Sequence, residues 1–410
     1  MSNRSDSQGW VVNSLLAASG YEVLHPEAKH FMGEIGYDPI DFDRVLTGAK
    51  TGAQLAKAFG RVGGELETKS EWYEGEGFRR TARDLFLRSS LMYGAATYSY
   101  PVGDSRRQAF REGVNRTTEK VIELSDRHIE RLEVEFEGKT LYALAHFPKA
   151  DGPVPLVLML PGMDMYKEDW TRVAEEYYLP RGIAVLGIDG PGQGESFHNG
   201  LTVTLTNYER AMSRLIDVMV ERPEIDSDRI GLWGVSMGSY WGLRTAAADK
   251  RIKAVATAMG CYGDMSTIFE KAQPGFKANF MAMSGYSDEA AFDVEIAANM
   301  AVKPVIDRIE VPVFMAYGEF DELSTLEETV ELYELITSAK RLSVFEQEFH
   351  ALGGVGGELI ASAADFLDTA LSGDVRPGSH EAYVGRDGTV TSGSAMPQWW
   401  SAAADSEKAR

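Results

Sequence analysis

The stretch Gly231-Leu232-Trp233-Gly234-Val235-Ser236-Met237-Gly238 constrains this chain more than any other. Upstream, Ile230 to Trp233 reads as the end of a short buried strand, and downstream Ser239 to Ala248 is rich in helix formers. Between them, Gly234-x-Ser236-x-Gly238 fits a strained strand-to-helix turn with Ser236 at its tip, the nucleophile-elbow pattern. Small flanking residues are expected there, because a side chain would clash with the adjoining strand or helix. An ordinary Gly/Ser loop satisfies the same pattern, and it is the flanking strand and helix that favour the elbow.

Strands and helices alternate on both sides of this turn. His128 to Phe136 and Thr140 to Phe147 alternate apolar and polar residues across Glu137-Gly138, a hairpin signal. Pro155 to Leu160 is a continuous apolar run of the kind buried on both faces of a sheet, and it ends in Pro161-Gly162-Met163-Asp164. A helix over Glu168 to Tyr178 and a strand over Ile183 to Ile188 lead to Asp189-Gly190-Pro191-Gly192-Gln193-Gly194-Glu195-Ser196. A helix over Leu205 to Val220, a strand over Arg229 to Trp233, the elbow helix and a strand over Ile252 to Ala258 follow. Residues 260–303, rich in Met, Phe, Ala and Gly, interrupt the rhythm and read as a helical insertion. Val311 to Tyr317, Leu326 to Leu335, Arg341 to Phe345 and Leu359 to Leu371 restore it as strand, helix, strand and closing helix. This alternation predicts an α/β fold, a mostly parallel sheet wound on both faces.

In front of the sheet, residues 1–127 read as a helical cap or N-terminal domain. Trp10 to Ala18, Asp41 to Phe59 and Arg80 to Thr97 carry apolar residues at helical spacing, and Asp104 is the expected N-cap of a helix reaching about Leu124. Residues 128–372 form the α/β core, with 260–303 contributing to the cap. Residues 373–410 turn to Gly, Ser and Asp with the isolated pair Trp399-Trp400, and read as an irregular tail. The apolar front end is expected to roof the mouth above Ser236, with 260–303 completing the wall. Phe269, Phe276, Phe280, Met281 and Met283 are candidates for that wall or for the packing core of the insertion.

Composition narrows the chemistry. At 410 residues and 44% hydrophobic content, the chain exceeds one ordinary domain. A formal net charge of -21 argues against nucleic acid or an anionic membrane as partner. No stretch approaches the roughly 20 apolar residues of a membrane span, and Met1 to Gly9 lacks the apolar core of a signal peptide. The single cysteine, Cys261, fits a reducing cytoplasm and leaves no intrachain disulfide. No His pair has metal-ligand spacing, so no metal site is expected. Whether the chain pairs as a homodimer is left open.

A serine hydroxyl is a poor nucleophile at neutral pH, so Ser236 needs a base, and the base needs an orienting carboxylate. Among the 7 histidines, only His350 lies in the loop between the last predicted strand and the closing helix. His128 and His146 sit on predicted strands, His25 and His30 in the helical front end and His380 in the tail, while His198 follows Gly194 and can border a pocket. Asp321 lies in the loop after the preceding strand, with Glu319 and Glu322 as rival third members. Ser236, Asp321, His350 is the chain order of an α/β-hydrolase triad. Two backbone N–H groups are expected to receive the charge that develops on oxygen. One belongs to Met237, at the start of the elbow helix, and the other to Met163 after Pro161-Gly162.

Residues 128–372 thus resemble the α/β-hydrolase superfamily. Leu160-Pro161-Gly162-Met163 resembles its oxyanion loop, Asp189 to Ser196 its D-x-x-G-x-G-x-S signature, and Gly234-x-Ser236-x-Gly238 its elbow. The front end, Arg80 to Tyr98 followed by a charged helix and Val134-Glu135-Phe136-Glu137-Gly138, is similar to a helical-capped branch. That branch contains 2,6-dihydroxypseudooxynicotine hydrolase and a fungal hydrolase that shortens a heptaketide. The resemblance implies carbon–carbon bond cleavage beside a carbonyl by a serine triad under a helical cap, without a cofactor, in a branch broadly classed as esterases. It also implies an additional active-site acid, for which Asp264 and Glu270 are the candidates. The expected substrate is a small aromatic or polyketide-like molecule, an aryl ketone or 1,3-diketone. The alternatives are a carboxylesterase or amidase for a small aromatic substrate, and a non-catalytic binder on a hydrolase scaffold.

Overall fold

A computed structural model of the chain describes residues 9–23, 26–100, 103–272 and 274–396; His25, Trp399 and Trp400 lie outside them. Its centre is a sheet of β1 (His128–Phe136), β2 (Lys139–Phe147), β3 (Val154–Leu160), β4 (Ala184–Asp189), β5 (Ile225–Val235), β6 (Ile252–Ala258), β7 (Val313–Gly318), β8 (Lys340–Phe345), β9 (Ser379–Val384) and β10 (Val390–Ser392). The spatial order is β1-β2-β4-β3-β5-β6-β7-β8-β9-β10. Pairing is parallel from β4 through β9 and antiparallel at both margins. Glu137 and Gly138 take φ of 52° and 72°, the left-handed pair that a tight hairpin between β1 and β2 requires.

Side chains on a strand alternate faces, so an apolar run serves two cores at once. Every residue of β3 is buried. Leu156, Leu158 and Leu160 belong to one core with Tyr208, Leu215 and Trp241. Val157 and Met159 belong to the other, with Trp170, Tyr178 and Trp233. That second core also takes in Phe31, Phe42, Phe59, Phe86 and Leu91 from the front end, so the N-terminal helices and the central sheet share one hydrophobic interior.

The front end comprises α1 (Gly9–Ser19), α2 (Ala28–Glu34), α3 (Pro39–Leu46), α4 (Gly52–Gly75), α5 (Arg79–Ser99) and α6 (Ser105–Leu124). The single helix expected over Asp41 to Phe59 is two. Gly48 takes φ of 80° after α3, and the Thr51 side chain caps α4 by accepting the Gln54 N–H. Asp104 caps α6 by accepting the Arg106 N–H. α4 and α6 close on Tyr93 of α5 through small residues: a Cβ at Gly63 or Gly113 meets its ring at 2.8 Å.

The remaining helices are α7 (Trp170–Val173), α8 (Gly194–His198), α9 (Asn207–Val220), α10 (Met237–Ala248), α11 (Met265–Lys271), α12 (Pro274–Met283), α13 (Glu289–Glu295), α14 (Leu326–Leu335) and α15 (Gly356–Leu371). The helix expected over Glu168 to Tyr178 is a composite of a tight turn over Lys167–Asp169, α7 and a wide turn over Ala174–Tyr178. Residues 373–410 are not wholly irregular: β9 pairs with β8 and β10 folds back on β9. These strands escape a hydrophobicity reading because only Tyr383 is buried in β9 and nothing in β10 is, as suits a sheet margin. Among the described residues, no helix is long and apolar enough to cross a membrane.

Buried charge ties α6 to the sheet. Arg111 donates to Glu168 Oε1 at 2.8 Å, and Asn115 donates to Glu195 at 2.9 Å. Lys167 reaches Glu168 at 2.7 Å, Asp189 at 3.0 Å and Glu195 at 3.2 Å. Arg111 and Lys167 are each 1% exposed. Removing one partner of a buried pair strands the other charge. Arg111→Ala is therefore expected to lower stability by about 3–5 kcal/mol, read from the urea midpoint. A loss below about 1 kcal/mol, the level of an exposed pair, counts against the cluster as the anchor of α6.

Candidate active site

Ser236 sits between the end of β5 and the first residue of α10 with φ 53° and ψ -123°. A non-glycine residue reaches this region only under constraint. Its N–H donates to the Ala258 carbonyl at 2.9 Å, and the Ser239 hydroxyl ties the Gly234 and Ala258 carbonyls at 2.9 and 2.8 Å. The flanking glycines are steric necessities. A Cβ on Gly234 would stand 2.2 Å from the Gly238 carbonyl oxygen, and one on Gly238 would stand 2.2 Å from that of Leu160.

The Ser236 Oγ lies 2.9 Å from His350 Nε2, and His350 Nδ1 lies 2.8 Å from Asp321 Oδ2. The other oxygen of Asp321 accepts the N–H groups of Leu323 and Ser324 at 2.8 and 3.2 Å, which fixes the carboxylate in the turn after β7. Burial disfavours the His350 imidazolium, but the Asp321 carboxylate outweighs it, with Glu322 and Asp164 adding, and the pKa is raised to about 8. Of the rival acids, Glu322 accepts the His350 backbone N–H at 3.0 Å, and Glu319 accepts that of Gln347 at 2.9 Å.

Met237 opens α10, where the first N–H groups have no intrahelical acceptor. Met163 lies on the other side of the serine, after Gly162, whose added Cβ would come within 3.3 Å of Ser236 Cβ. The Gly162 carbonyl accepts Gln193 Nε2 at 2.8 Å, and Gln193 Oε1 in turn accepts the Tyr208 hydroxyl at 2.7 Å. In a planar trans peptide the next N–H points opposite to the carbonyl, so Gln193 turns the Met163 N–H away from itself. Gln193 belongs to the Asp189–Ser196 turn, and the sequence reading assigned it no role.

Ser236, His350 and Met163 line a cavity of about 120 Å³. Its other walls include Tyr21, Phe31, Met32, Ile35 and Tyr37 from the front end, Tyr98 from the end of α5, Phe276 from α12, and Asp164 and Asp169 from the loop after β3. The volume falls below the roughly 300–1,000 Å³ of drug-sized ligand pockets, so the site suits a small group. Tyr37 and Tyr98 have phenol pKa values well above the ordinary one, because burial and the nearby acids oppose a phenolate. A wider groove of about 830 Å³, walled by Arg80, Arg83, Arg127, Lys149 and Glu175, touches none of these groups.

The other sequence candidates lie elsewhere. Asp264 is an exposed N-cap of α11 that accepts the Ser266 N–H and the Thr267 hydroxyl, and Glu270 is exposed on the same helix; neither lines the cavity. The acids that do line it are Asp164 and Asp169, from the loop after β3; the only signal in the sequence is that this loop follows the strand-end Pro161-Gly162. Of the five apolar wall candidates only Phe276 lines the cavity. Phe269 and Phe280 pack together at 5.1 Å, and Phe269 packs on Phe292 at 5.2 Å, inside the insertion. His198 is exposed and outside the cavity. His146 is buried in β2, and burial, with Arg83 and Arg127 nearby, lowers its pKa to about 3. Cys261 Sγ lies 4.0 Å from Ser236 Oγ, its thiol pushed up by burial and by Asp321. Among the described residues, no group of three or more His, Cys, Asp or Glu side chains is arranged to hold a metal ion.

With this geometry in hand, known proteins can be compared. The sequence pattern of the FrsA-like family, described as esterase FrsA-like, matches residues 69–330, well over half of the chain. Esterase FrsA of Photobacterium profundum is 25% identical over 251 residues, which is 57% of this chain and 59% of the relative. The match thus spans under two thirds of that relative's length. The 2,6-dihydropseudooxynicotine hydrolase of Paenarthrobacter nicotinovorans is 28% identical over 267 residues, covering 63% of this chain and 71% of the relative. In three dimensions, a solved 2,6-dihydroxy-pseudo-oxynicotine hydrolase superposes with a TM-score of 0.77 at 24% identity, covering 86% of this chain and 98% of that one. The fold is that of an α/β-hydrolase.

His350 can take a proton from Ser236 only while its imidazole is neutral. Labelling of Ser236 by a fluorophosphonate is therefore expected to accelerate with rising pH through about 8 and then level off. Second-order labelling rates between about pH 6 and 10 check this. A rate that is flat across the range removes His350 from the role of base.

Proposed function

The chain belongs to the FrsA-like esterase family, and on that premise we propose that it is a serine hydrolase working through an acyl-enzyme, with the carbon–carbon bond of a small aryl ketone or 1,3-diketone as its target. One observation carries the reading: the unbroken chain Ser236 Oγ, His350 Nε2, His350 Nδ1, Asp321 Oδ2, with links of 2.9 and 2.8 Å, opening on a cavity. A receptor on the same scaffold has no use for a strained serine joined to a histidine and a buried carboxylate.

In this reading Ser236 Oγ attacks the carbonyl carbon while His350 takes its proton, and Asp321 holds the ring in the tautomer that presents Nε2 to the serine. The N–H groups of Met163 and Met237 receive the oxyanion, helped at Met237 by the positive end of the α10 dipole. Gln193 keeps the first of these donors in position. After the leaving group departs with the proton from His350, water activated by the same ring releases the acyl group.

The resemblance to carbon–carbon hydrolases favours a carbon leaving group, and a relative named for one small molecule supports a small-molecule substrate. A departing carbon needs more than a departing oxygen, because its electron pair must be delocalised into a neighbouring carbonyl or ring. Three tyrosines around the cavity offer such a fragment hydrogen bonds. The second reading, a carboxylesterase for a small aromatic ester, is favoured by the family description itself.

Ser236→Ala and His350→Ala are each expected to lower kcat by at least about 10³-fold with the fold intact. Near-normal turnover by folded Ser236→Ala sinks the assignment. Product analysis on an aryl 1,3-diketone and an aryl ester of equal size separates the two bond types. Rapid ester hydrolysis with no diketone cleavage moves the reading to esterase and leaves the triad unchanged.

A further inference from the structure

Two carboxyl groups of the cavity wall, Asp164 and Asp169, have no task in the mechanism above. Asp164 is exposed, whereas Asp169 is 3% exposed and still faces the cavity that holds Ser236 and His350. Its two oxygens are unequal. Oδ2 accepts the Tyr166 N–H at 2.7 Å and so caps the turn that opens at Lys167. Among the described residues Oδ1 has only the Tyr37 hydroxyl, at 3.4 Å, and that hydroxyl has a shorter path to the Leu91 carbonyl at 3.1 Å. A buried carboxylate oxygen so poorly served is better off carrying a proton.

The surrounding charges agree. Glu168 beside it, Asp164 from the same loop and Asp189 from the end of β4 all face Asp169, and Tyr166 and Tyr37 complete its surroundings. The cations of the adjoining cluster, Lys167 and Arg111, are engaged by Glu168, Asp189 and Glu195. Burial foremost, opposed by the Tyr166 N–H and reinforced by the three acids, pushes the Asp169 pKa up to about 8.

We propose that Asp169 is a further catalytic residue, donating a hydrogen bond from its carboxyl group to the oxygen of the leaving fragment on which negative charge gathers as the carbon–carbon bond breaks. This rests on the serine-hydrolase reading and specifies its substrate class: fragments that depart as an enolate or as a carbanion conjugated to an oxygen. Ser236 Oγ bonds to the acyl carbon and its proton passes to His350 Nε2. As the carbon–carbon bond breaks, its electron pair forms the enolate double bond and displaces the carbonyl π pair onto oxygen. Asp169 keeps its proton and shares it with that oxygen, while the His350 proton goes to carbon and the fragment leaves as a neutral ketone. Water then adds to the acyl-enzyme, gives one proton to His350, and that proton returns to Ser236 Oγ. An ester needs no such donor, because its oxygen leaving group takes the His350 proton directly. A carboxylic acid kept neutral is a strong donor for an enolate, and its ionisation abolishes the effect.

The test uses Asp169→Asn and Asp169→Ala. Asparagine still accepts the Tyr166 N–H and still donates toward the cavity, but it does not titrate; alanine does neither. Each protein is assayed on the paired aryl 1,3-diketone and aryl ester across pH, and para-nitrophenolate, a stable anionic oxygen, is titrated into each in the Ser236→Ala background. Asp169→Ala is expected to cut diketone cleavage by about 10²-fold and ester hydrolysis by less than about threefold. Wild-type diketone cleavage should fall above about pH 8 as Asp169 ionises, a limb absent from the ester and from Asp169→Asn. Phenolate binding should weaken by at least about tenfold in Asp169→Ala and be kept in Asp169→Asn. Equal losses on ester and diketone in Asp169→Ala, an alkaline limb surviving in Asp169→Asn, or unchanged phenolate binding in Asp169→Ala each overturn the proposal. If the wild type hydrolyses only the ester, the carbon–carbon reading falls by itself, and the phenolate titration still decides whether Asp169 donates to an anionic oxygen. If Asp169→Ala does not fold, the loss of the alkaline limb in Asp169→Asn remains decisive.

Discussion

A buried ammonium group organises the architecture of this site. Lys167 stands almost fully out of water, and burial alone would strip its proton; Asp189, Glu168 and Glu195, set against the repulsion of Arg111, raise its pKa instead. Those partners come from different places in the chain. Glu168 adjoins Lys167, Asp189 ends β4, Glu195 lies in α8, and Arg111 arrives from α6. A buried charge is tolerated only where opposite charges and hydrogen bonds surround it, so the cluster admits few arrangements of these segments. Asp189 adds two more bonds, accepting the N–H groups of Lys167 at 2.9 Å and Glu195 at 2.8 Å.

What the cluster holds in place is the loop after β3. That loop carries Gly162 and Met163 beside the serine, then Asp164, and then Asp169 at the cavity wall. Two further contacts fix its near end, the Gln193 bond to the Gly162 carbonyl and the tight approach of Gly162 to Ser236. A segment that meets the nucleophile at one end and a buried ion cluster at the other has little freedom to drift. Precise placement of hydrogen-bond donors is what electrostatic catalysis requires.

The roof is built differently. Residues 26–37 lie over the loop that follows His350, and the approach is backbone to backbone. A Cβ on Gly353 would stand 2.1 Å from the Glu27 carbonyl oxygen, and one on Gly356 would stand 3.6 Å from Phe31 Cα. Phe31, Met32 and Ile35 then face the cavity with Tyr21 and Tyr37. The cavity is therefore mostly apolar above and carries two carboxyl groups along one wall.

The sheet, its parallel sense and the elbow were legible in the chain because each is dictated locally. A double-faced apolar run such as Leu156 to Leu160 has only a buried strand to become, and two glycines around Ser236 mark a turn no Cβ can enter. The triad was legible for the same reason, since a parallel sheet brings the loops after β5, β7 and β8 to one edge whatever their sequence. The break between α3 and α4 at Gly48 was missed because helical spacing continues across it, and β9 and β10 because margin strands carry no apolar run. The acids that line the cavity were not legible for a deeper reason. Asp264 and Asp169 both stand at helix starts, and nothing local distinguishes an exposed cap from a buried one. Packing against Tyr37, which lies more than a hundred residues away in the chain, and beside Glu168 and Asp189 takes water from Asp169 and so alters its chemistry. Sequence determined the scaffold and the serine at its elbow through local sterics and periodicity; tertiary structure alone decided which carboxyl group loses its solvent, because burial is a property of the whole assembly.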